Sequence, residues 1–281
     1  MNLSMNNSIK VKKYSGELVD FDQEKLIRSL RNADADEHLI EEIIKDVNRN
    51  LFDGISTKKI YQLAFNILKR RKSICASRYK LKKAIMELGP SGYPFEKFVG
   101  VLLNYEGFRT EVGVTVQGRC VTHEVDVVAI DRDNHYMVEC KYHNRQGRVN
   151  DVKIPLYIQS RFTDLKEQCE IENNHPQKFH QGWVYTNTRF TTDAIEYAEC
   201  VGLKLVSWDY PPNKSLKDMI KKSGLYPITS MAIITRKEKE ILLKEGVVLC
   251  KEICEKPHLI DLLRIKGRRY KKIMELLNTM C

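Results

Sequence analysis

The chain lacks any apolar run near the length of about 18 residues that a membrane-spanning helix requires. Its start, MNLSMNNSIKVKK, also lacks the apolar segment of a secretory signal peptide. No CxxC pair occurs and the cysteines are scattered along the chain, so neither a structural zinc site nor a disulfide framework is indicated. We therefore expect a cytoplasmic protein without a membrane partner, in which all eight cysteines are reduced. Cys250 and Cys254, four residues apart, are expected to pack on one helix face.

Charge is divided unevenly along the 281 residues. Residues 1–88 hold 18 basic and 12 acidic side chains, residues 89–213 hold 13 and 17, and residues 214–281 hold 16 and 8. An acidic middle between basic flanks suits a protein whose flanks hold nucleic acid while central carboxylates do chemistry. Basic charge alone indicates only a tendency to bind polyanions.

Turn-forming residues divide the chain into three segments. GPSGYP, residues 89–94, contains two prolines and two glycines, and Pro211 with Pro212 supplies a second break. Residues 10–21 alternate as strands around a turn at Gly16, with helical spacing after them. We therefore predict three domains, at 1–90, 91–212 and 213–281.

The middle segment predicts a mixed sheet with helices on both faces. An amphipathic helix closes near Gly107, before strand-like runs at 109–116, 124–130 and 136–142. A helix around 150–169 then leads to strand, helix and strand, giving the order αβββαβαβ. The first segment is predicted to be helical with a β-hairpin and the last to be a small basic helical module, so the fold class is multi-domain α/β.

The run HEVDVVAIDRDNHYMVECKYH, residues 123–143, predicts a hairpin whose register follows from its loop. With a four-residue loop at 131–134, Ile130 pairs with His135 and paired residue numbers sum to 265. Charged residues then face each other on one side of the sheet: Asp126 opposite Glu139, and Glu124 opposite Lys141.

Two carboxylates directly opposite each other repel unless a cation or a proton lies between them. A hard ion such as Mg²⁺ or Mn²⁺ would resolve the repulsion between Asp126 and Glu139, and Lys141 would orient a water beside a phosphate. The alternative is a solvated sheet face on which Glu139 and Lys141 form a weak ion pair. The residues alone leave both open, because a slip of one residue in register would end the opposition.

The spacing of Asp126 and, after twelve intervening residues, Glu139-Cys140-Lys141 resembles the core of PD-(D/E)xK nucleases. Its surroundings, from GYPFEKFVGVLLNYEGF to GWVYTNTRFTTDAIEYAECVGLKLVSWD, resemble Mrr-like restriction endonucleases over about 94–210. The resemblance implies that Asp126 and Glu139 are metal ligands and that Lys141 positions water or stabilises charge.

Two further acids follow from the same resemblance. Glu96 matches an acid on the first helix that completes the metal shell in many relatives, with an exposed helical glutamate as the alternative. HEVD at 123–126 stands where relatives often show GGID, which makes Glu124 a further candidate ligand. Three histidines flank the hairpin and are expected at the surface or around the site: His123, His135 and His143.

The N-terminal run VKKYSGELVDFDQEKL, with ASRYKLKKA further on, resembles the ATP-cone domain over about 8–90. The resemblance implies binding of ATP or dATP, by lysines at the triphosphate and by residues that shape the pocket: Lys13, Lys25, Val11, Gly16 and Phe21. Tyr14 stands where that family has arginine. Lysines beside a helix start favour an anion, although merely solvated lysines are the alternative. Without a GxxxxGK[ST] loop, the domain is expected to sense nucleotide rather than hydrolyse it.

The C-terminal run LIDLLRIKGRRYKKIMELL predicts two helices around a short turn. Its basic residues somewhat resemble a helix-hairpin-helix binder of the phosphate backbone: Lys266, Arg268, Arg269, Lys271 and Lys272. The alternative is a small bundle with a solvated basic face. If it contacts DNA, we expect contacts to phosphates with little sequence selectivity.

Two functions of different classes remain. The first is an Mg²⁺-dependent DNA endonuclease of the Mrr-like type, regulated by ATP or dATP and acting, as the resemblance implies, against foreign DNA. A homo-oligomer is expected with it, because cutting both strands needs two active sites or sequential nicks. The second is a non-catalytic, nucleotide-responsive DNA-binding regulator. The intact set of Asp126, Glu139 and Lys141 favours the first.

Overall fold

The computed structural model describes residues 9–145, 147–171 and 178–281. Within it the chain divides into two compact units, unit 1 with Met1–Leu81 and Ser230–Ile233, and unit 2 with Lys82–Thr229 and Ile234–Cys281. Most of the N-terminal run on which the expectation about a signal peptide rested, residues 1–8, lies outside the described residues. The division into three functional domains stays a prediction.

Unit 1 combines a small sheet with helices. Its elements are β1 (Lys10–Lys12), β2 (Leu18–Asp20), α1 (Gln23–Arg31), α2 (Glu37–Arg49), β3 (Ile55–Ser56), α3 (Thr57–Arg71) and α4 (Ser73–Tyr79). Strand β1 lies between β2, to which it is antiparallel, and β3, to which it is parallel. The predicted hairpin is confirmed, and Gly16 at its turn has a φ of +92°, a conformation that favours glycine.

Side-chain caps fix the starts of three of these helices. Asp22, Asp36 and Ser56 each accept a backbone N–H from the first turn of α1, α2 and α3. The apolar faces that follow these caps form the core of unit 1, which includes the fully buried Leu30 and Ile43. The sequence therefore specifies both the ends and the inward faces of these helices.

The first part of unit 2 follows the predicted order αβββαβαβ. Its elements are α5 (Leu81–Met86), α6 (Tyr93–Tyr105), β4 (Arg109–Gln117), β5 (Thr122–Asp131), β6 (Asn134–Lys141), β7 (Val149–Asn150), α7 (Lys153–Ile171), β8 (Lys178–Thr186), β9 (Arg189–Phe190), α8 (Thr192–Val201) and β10 (Lys204–Val206). The main sheet has the order β10-β8-β6-β5-β4, with β4, β5 and β6 antiparallel and β6, β8 and β10 parallel. The predicted mixed sheet is confirmed, and the short parallel pair β7-β9 lies outside it. The helical region after α3 is divided into the two short helices α4 and α5.

Helices cover both faces of this sheet. Val127 and Val128 are consecutive in β5, point to opposite faces and are both fully buried. Val127 lies beside Gly100 of α6, where an added methyl group would come within 3.9 Å of it. Val128 belongs to the cluster that contains Phe162 of α7. A strand buried on both sides explains why the apolar residues of the hairpin form nearly continuous runs.

The last part of unit 2 is helical, as predicted. Its helices are α9 (Leu216–Ser223), α10 (Arg236–Lys244), α11 (Cys250–Glu255) and α12 (Gly267–Met280), with 3₁₀ turns at Ile228–Ser230 and Pro257–Leu263. The first of the two helices predicted in the run LIDLLRIKGRRYKKIMELL is thus a 3₁₀ helix rather than an α-helix. No helix in the described ranges has both the length and the apolar character that a membrane span needs.

A disulfide bond joins Cys254 in α11 to Cys281 at the end of the chain. The expectation that all eight cysteines are reduced is therefore wrong for this pair. The two residues are 27 positions apart and meet because α11 packs against α12, a contact that cysteine spacing does not indicate. Cys250 is buried, as expected for a packing residue, and its Sγ donates to the backbone carbonyl of Pro227 over 3.5 Å.

Candidate active site

The register of the central hairpin is confirmed. β5 and β6 pair from Val127 opposite Val138 to Asp131 opposite Asn134, so paired numbers sum to 265. The connection is shorter than the predicted four-residue loop, because Asp131 and Asn134 still pair with each other. The same sum would place the charged residues just beyond the last pair.

The predicted facing pairs fall where β5 and β6 no longer pair. The described ladder ends before Asp126 and Glu139, and before Glu124 and Lys141, so the predicted direct opposition is corrected. Asp126 instead reaches across with its side chain, and its Oδ2 accepts the backbone N–H of Cys140 over 2.6 Å. The strands therefore present these side chains at an open end of the hairpin.

The other neighbour of β5 is also irregular at this position. β4 pairs with β5 through Val112 and Val114, but Gly113 between them, across from Asp126, has a φ of +68°. Such a left-handed residue in a strand bends it locally. Asp126 thus lies where the ladder is interrupted on both sides.

Three acids from two strands and a helix interact at this end of the sheet. Burial, then the nearby Asp126 and other carboxylates, raises the pKa of Glu96 on α6 to about 7. Burial, then the negative charge of Glu139, raises the pKa of Asp126 to about 6. The predicted grouping of Glu96, Asp126 and Glu139 is therefore present as an electrostatic unit.

Glu139 is held by two cations. It is 5% exposed, and its Oε1 lies 2.5 Å from Nζ of Lys141. Its Oε2 accepts a hydrogen bond from the guanidinium of Arg161 on α7, which also donates to the backbone carbonyl of Glu124. The Glu124 side chain itself is exposed, and its charge contributes to the raised pKa of Glu96. Arg161 is a site residue that sequence reasoning missed, because nothing in its spacing marks it apart from a place on the helix after the hairpin.

The donor set fits a hard divalent cation. In the described ranges no three His, Cys, Asp or Glu side chains are already arranged to hold a metal. Carboxylate oxygens are nevertheless the ligands that Mg²⁺ and Mn²⁺ prefer, and repulsion among Glu96, Asp126 and Glu139 is what a bound divalent cation would relieve. We therefore treat these acids as the candidate metal ligands.

Two of the three histidines form side-chain hydrogen bonds, and the third is buried. His123 hydrogen-bonds Asp164 over 2.7 Å, and His143 hydrogen-bonds Asn150 over 2.9 Å. His135, expected at the surface or around the site, is instead 7% exposed in β6. It is buried because the paired part of the hairpin is covered by helices on both faces.

A polar network that the sequence did not reveal holds the end of β6. The Thr186 hydroxyl donates to the backbone carbonyl of Lys141 over 2.7 Å, and Asn150 donates to that hydroxyl oxygen over 3.0 Å. Asn187 exchanges two hydrogen bonds with the backbone of His143, of 2.9 and 2.7 Å. These contacts fix the backbone on both sides of the segment that follows Lys141.

The residues assigned to nucleotide binding lie in the first hairpin and at the start of α1. Lys13 pairs with Glu17 over 3.0 Å and Lys25 with Asp22 over 3.1 Å, and both lysines are exposed. The remaining members of the set differ in exposure: Val11 is buried, Phe21 is half-buried and Gly16 is exposed at the turn.

The predicted basic cluster divides into four exposed residues and one arginine that is bound to an acid. Lys266, Arg268, Lys271 and Lys272 are exposed around the start of α12. Arg269 instead forms a two-pronged ion pair with Glu238, with N–O distances of 2.6 and 2.5 Å. The pair makes Arg269 a packing contact between α12 and α10.

Three family models match successive parts of the chain. They are described as ATP cone domain, matching 9–87, restriction endonuclease of the Mrr catalytic type, matching 89–210, and AF1548-like, C-terminal, matching 226–281. These matches agree with the predicted order of an ATP cone and a nuclease-type domain.

Two relatives extend the comparison. An uncharacterised protein of Archaeoglobus fulgidus is 39% identical over 155 residues, which cover 54% of this chain and 81% of that protein. The crystal structure of a protein of unknown function, AF1548, is similar with a TM-score of 0.53 and 33% identity, over 68% of this chain and 96% of the other. The chain therefore belongs to the same family as these two relatives, and it contains an ATP cone domain followed by a restriction endonuclease domain of the Mrr type and an AF1548-like C-terminal region.

Proposed function

We propose that this protein is a metal-dependent DNA endonuclease that hydrolyses phosphodiester bonds and is regulated by ATP or dATP. The observation that carries the proposal is the grouping of Asp126, Glu139 and Lys141 at the open end of the hairpin, inside a restriction-endonuclease-family domain.

Asp126, Glu139 and Glu96 would hold Mg²⁺ or Mn²⁺, with Glu124 as a further candidate. A divalent ion there would supply Lewis-acid stabilisation and activation of water. Lys141, with 28% of its side chain exposed, is the cation able to turn from Glu139 towards a phosphate oxygen. Its ammonium group would then stabilise the negative charge that accumulates on the phosphate during attack.

The other assignments belong to the same proposal. Nucleotide would bind at the first hairpin of the ATP cone through Lys13 and Lys25. The DNA backbone would be held by the exposed cluster at the start of α12, at Lys266, Arg268, Lys271 and Lys272. The functional domains would be 1–90, 91–212 and 213–281, in a cytoplasmic homo-oligomer that acts against foreign DNA.

Cleavage of supercoiled plasmid tests the proposal. Wild type, Lys141→Ala and the control Lys166→Ala, an exposed lysine of α7, are compared with Mg²⁺ or Mn²⁺, with and without ATP and dATP. We expect nicked or linear DNA with wild type and the control, and at least a hundredfold slower cleavage with Lys141→Ala. Equal cleavage by all three would contradict the assigned role of Lys141, and a nucleotide effect on the rate would support regulation by the ATP cone.

The engagement of both Glu139 oxygens by Lys141 and Arg161 favours one alternative, a DNA-binding regulator without catalysis. This alternative predicts DNA binding on modified and unmodified plasmid, no cleavage of either, and no metal binding that depends on Asp126.

A further inference from the structure

Arg161 on α7 forms hydrogen bonds to both of the strands that carry the acids, β5 and β6. Its guanidinium donates from Nη1 to the Glu139 carboxylate in β6 and from Nη2 to the backbone carbonyl of Glu124 in β5. The described ladder between these strands ends at the pair Val127 and Val138, so both contacts lie beyond its end. One side chain from α7 thus links the strands where their own hydrogen bonds have stopped.

The guanidinium is anchored independently of the carboxylate it holds. The Glu124 carbonyl is part of the β5 backbone, and the Tyr157 ring lies beneath the guanidinium, one helical turn earlier, with a centroid distance of 5.5 Å. Only 11% of the Arg161 side chain is exposed. Because the guanidinium of Arg161 is planar and held at two points, its remaining N–H groups point in one fixed direction. The ammonium group of a lysine has no such plane to fix.

The two cations on Glu139 therefore differ in kind. Lys141 has a flexible stem and is more exposed, at 28% of its side chain, so it is free to leave for another partner. Arg161 is tied to β5 and to Tyr157, so it stays when Lys141 leaves. With Oε2 held by Arg161, Oε1 is the oxygen of Glu139 that becomes available.

We infer that Arg161 is a positioning residue of the nuclease site: it sets the spacing of β5 and β6 beyond their ladder and orients Glu139 so that Oε1 faces the metal. The inference rests on the proposed function for the presence of the metal. It assigns Arg161 no contact with substrate or with the reacting atoms.

Mn²⁺ binding tests the inference without depending on cleavage. Free Mn²⁺ is followed by electron paramagnetic resonance during titration of the full chain, for wild type, Arg161→Ala, Arg161→Lys and Arg119→Ala. Arg119 is the matched control, because it also pairs with an acid of α7, Glu167 over 2.9 Å, at an exposed position. Circular dichroism of each variant reports whether it is folded.

Loss of a partner that orients a metal ligand typically weakens affinity by about ten- to a hundredfold, and we expect this for Arg161→Ala. Arg161→Lys should also bind Mn²⁺ more weakly than wild type, since a single ammonium nitrogen does not reproduce the rigid fork of two nitrogens that donates to Glu139 and to the β5 carbonyl. Arg119→Ala should bind as wild type does. If Arg161→Ala does not fold, Arg161→Lys decides.

Unchanged or tighter Mn²⁺ binding by Arg161→Ala would overturn the inference, since the guanidinium would then be neutral towards the metal or compete with it. Wild-type affinity in Arg161→Lys would also overturn it, because charge alone would suffice. Wild type that binds no Mn²⁺ would overturn it together with the metal site. Wild type that binds Mn²⁺ but cleaves no DNA would instead refute the endonuclease function, while the variants still decide the role of Arg161.

Discussion

Oδ2 of Asp126 accepts the backbone N–H of Cys140 over 2.6 Å, directly beyond the last paired residues of β5 and β6. The bond holds the carboxylate beside Glu139 without the two side chains facing each other across a regular ladder. It lowers the pKa of Asp126, but burial and the charge of Glu139 outweigh it, and the pKa is raised to about 6. Ionised Asp126 beside Glu139 therefore lowers the stability of the folded protein.

The first prediction concerns stability and pH. The pKa of Asp126 is raised from 3.8 to about 6 and that of Glu96 from 4.5 to about 7, so the folded state binds more protons than the unfolded state between these values. The free energy of unfolding should therefore fall as pH rises from about 4 to about 7. Asp126→Asn, which keeps an oxygen for the Cys140 N–H, should be more stable than wild type above this range, by on the order of 1–2 kcal/mol.

Urea unfolding in EDTA at about pH 4 and about pH 8 measures this effect. Glu124→Gln is the control, because Glu124 is an exposed acid of the same strand, and its free energy of unfolding should exceed that of wild type only slightly. Mn²⁺ should reduce the difference in free energy of unfolding between Asp126→Asn and wild type, because the ion stabilises only wild type, which binds it. An Asp126→Asn variant that is less stable than wild type at both pH values would contradict the raised pKa.

The sequence predicts the fold more completely than the site. The apolar runs and the register sum placed β5 and β6 correctly, because the polar residues between the two runs mark the turn that sets which residues pair. The end of the ladder was not predicted, since the register sum says which residues would pair but not where the pairing stops. Arg161 was missed for a related reason: its contacts cross from α7 to two strands, and no local pattern marks them.

The sequence also did not predict the long-range contacts of the C-terminal part. Cysteine spacing could not indicate the Cys254 and Cys281 pair, which depends on how α11 and α12 pack. Composition likewise grouped Arg269 with its basic neighbours, although it is bound to Glu238. Sequence patterns report periodicity within an element, whereas partners across elements follow from tertiary packing.

The second prediction concerns nucleotide affinity. Tyr14, 78% exposed at the hairpin turn, stands where the ATP-cone family has arginine. Tyr14→Arg should tighten ATP or dATP binding by about tenfold, because one charge-assisted contact to phosphate contributes roughly 1.5 kcal/mol. Isothermal titration calorimetry with each nucleotide measures the change.

Leu18→Arg is the matched control, since it adds the same charge on the opposite strand of the hairpin, at a residue 58% exposed. An equal gain in both variants would indicate attraction to any added charge rather than a phosphate contact at position 14. Lys13→Ala should weaken binding in either background, and unchanged affinity would refute the assigned site.

The third prediction separates DNA contacts from stability in the C-terminal helices. Lys271→Ala and Lys272→Ala should each weaken DNA binding equally on unrelated sequences and reduce the slope of log affinity against log salt by about 1. Arg269→Ala should act on stability instead, because the hydrogen bond from Arg269 is the main cause that lowers the pKa of Glu238 to about 2. A carboxyl with a lowered pKa stabilises the fold above its unfolded pKa of 4.5, and this contribution is lost as pH falls towards 2.

Arg269→Ala should lower the free energy of unfolding by about 1 kcal/mol near neutral pH. The value is small because 40% of the Arg269 side chain is exposed, so that solvent screens the ion pair. The difference from wild type should vanish near pH 2, where Glu238 is protonated. Fluorescence anisotropy with two DNA duplexes over a salt series, and urea unfolding over pH, measure the two effects. A salt slope unchanged by both lysine variants would remove α12 from the DNA interface. A pH-independent loss in Arg269→Ala would show that its packing, rather than its charge on Glu238, stabilises the contact of α12 with α10.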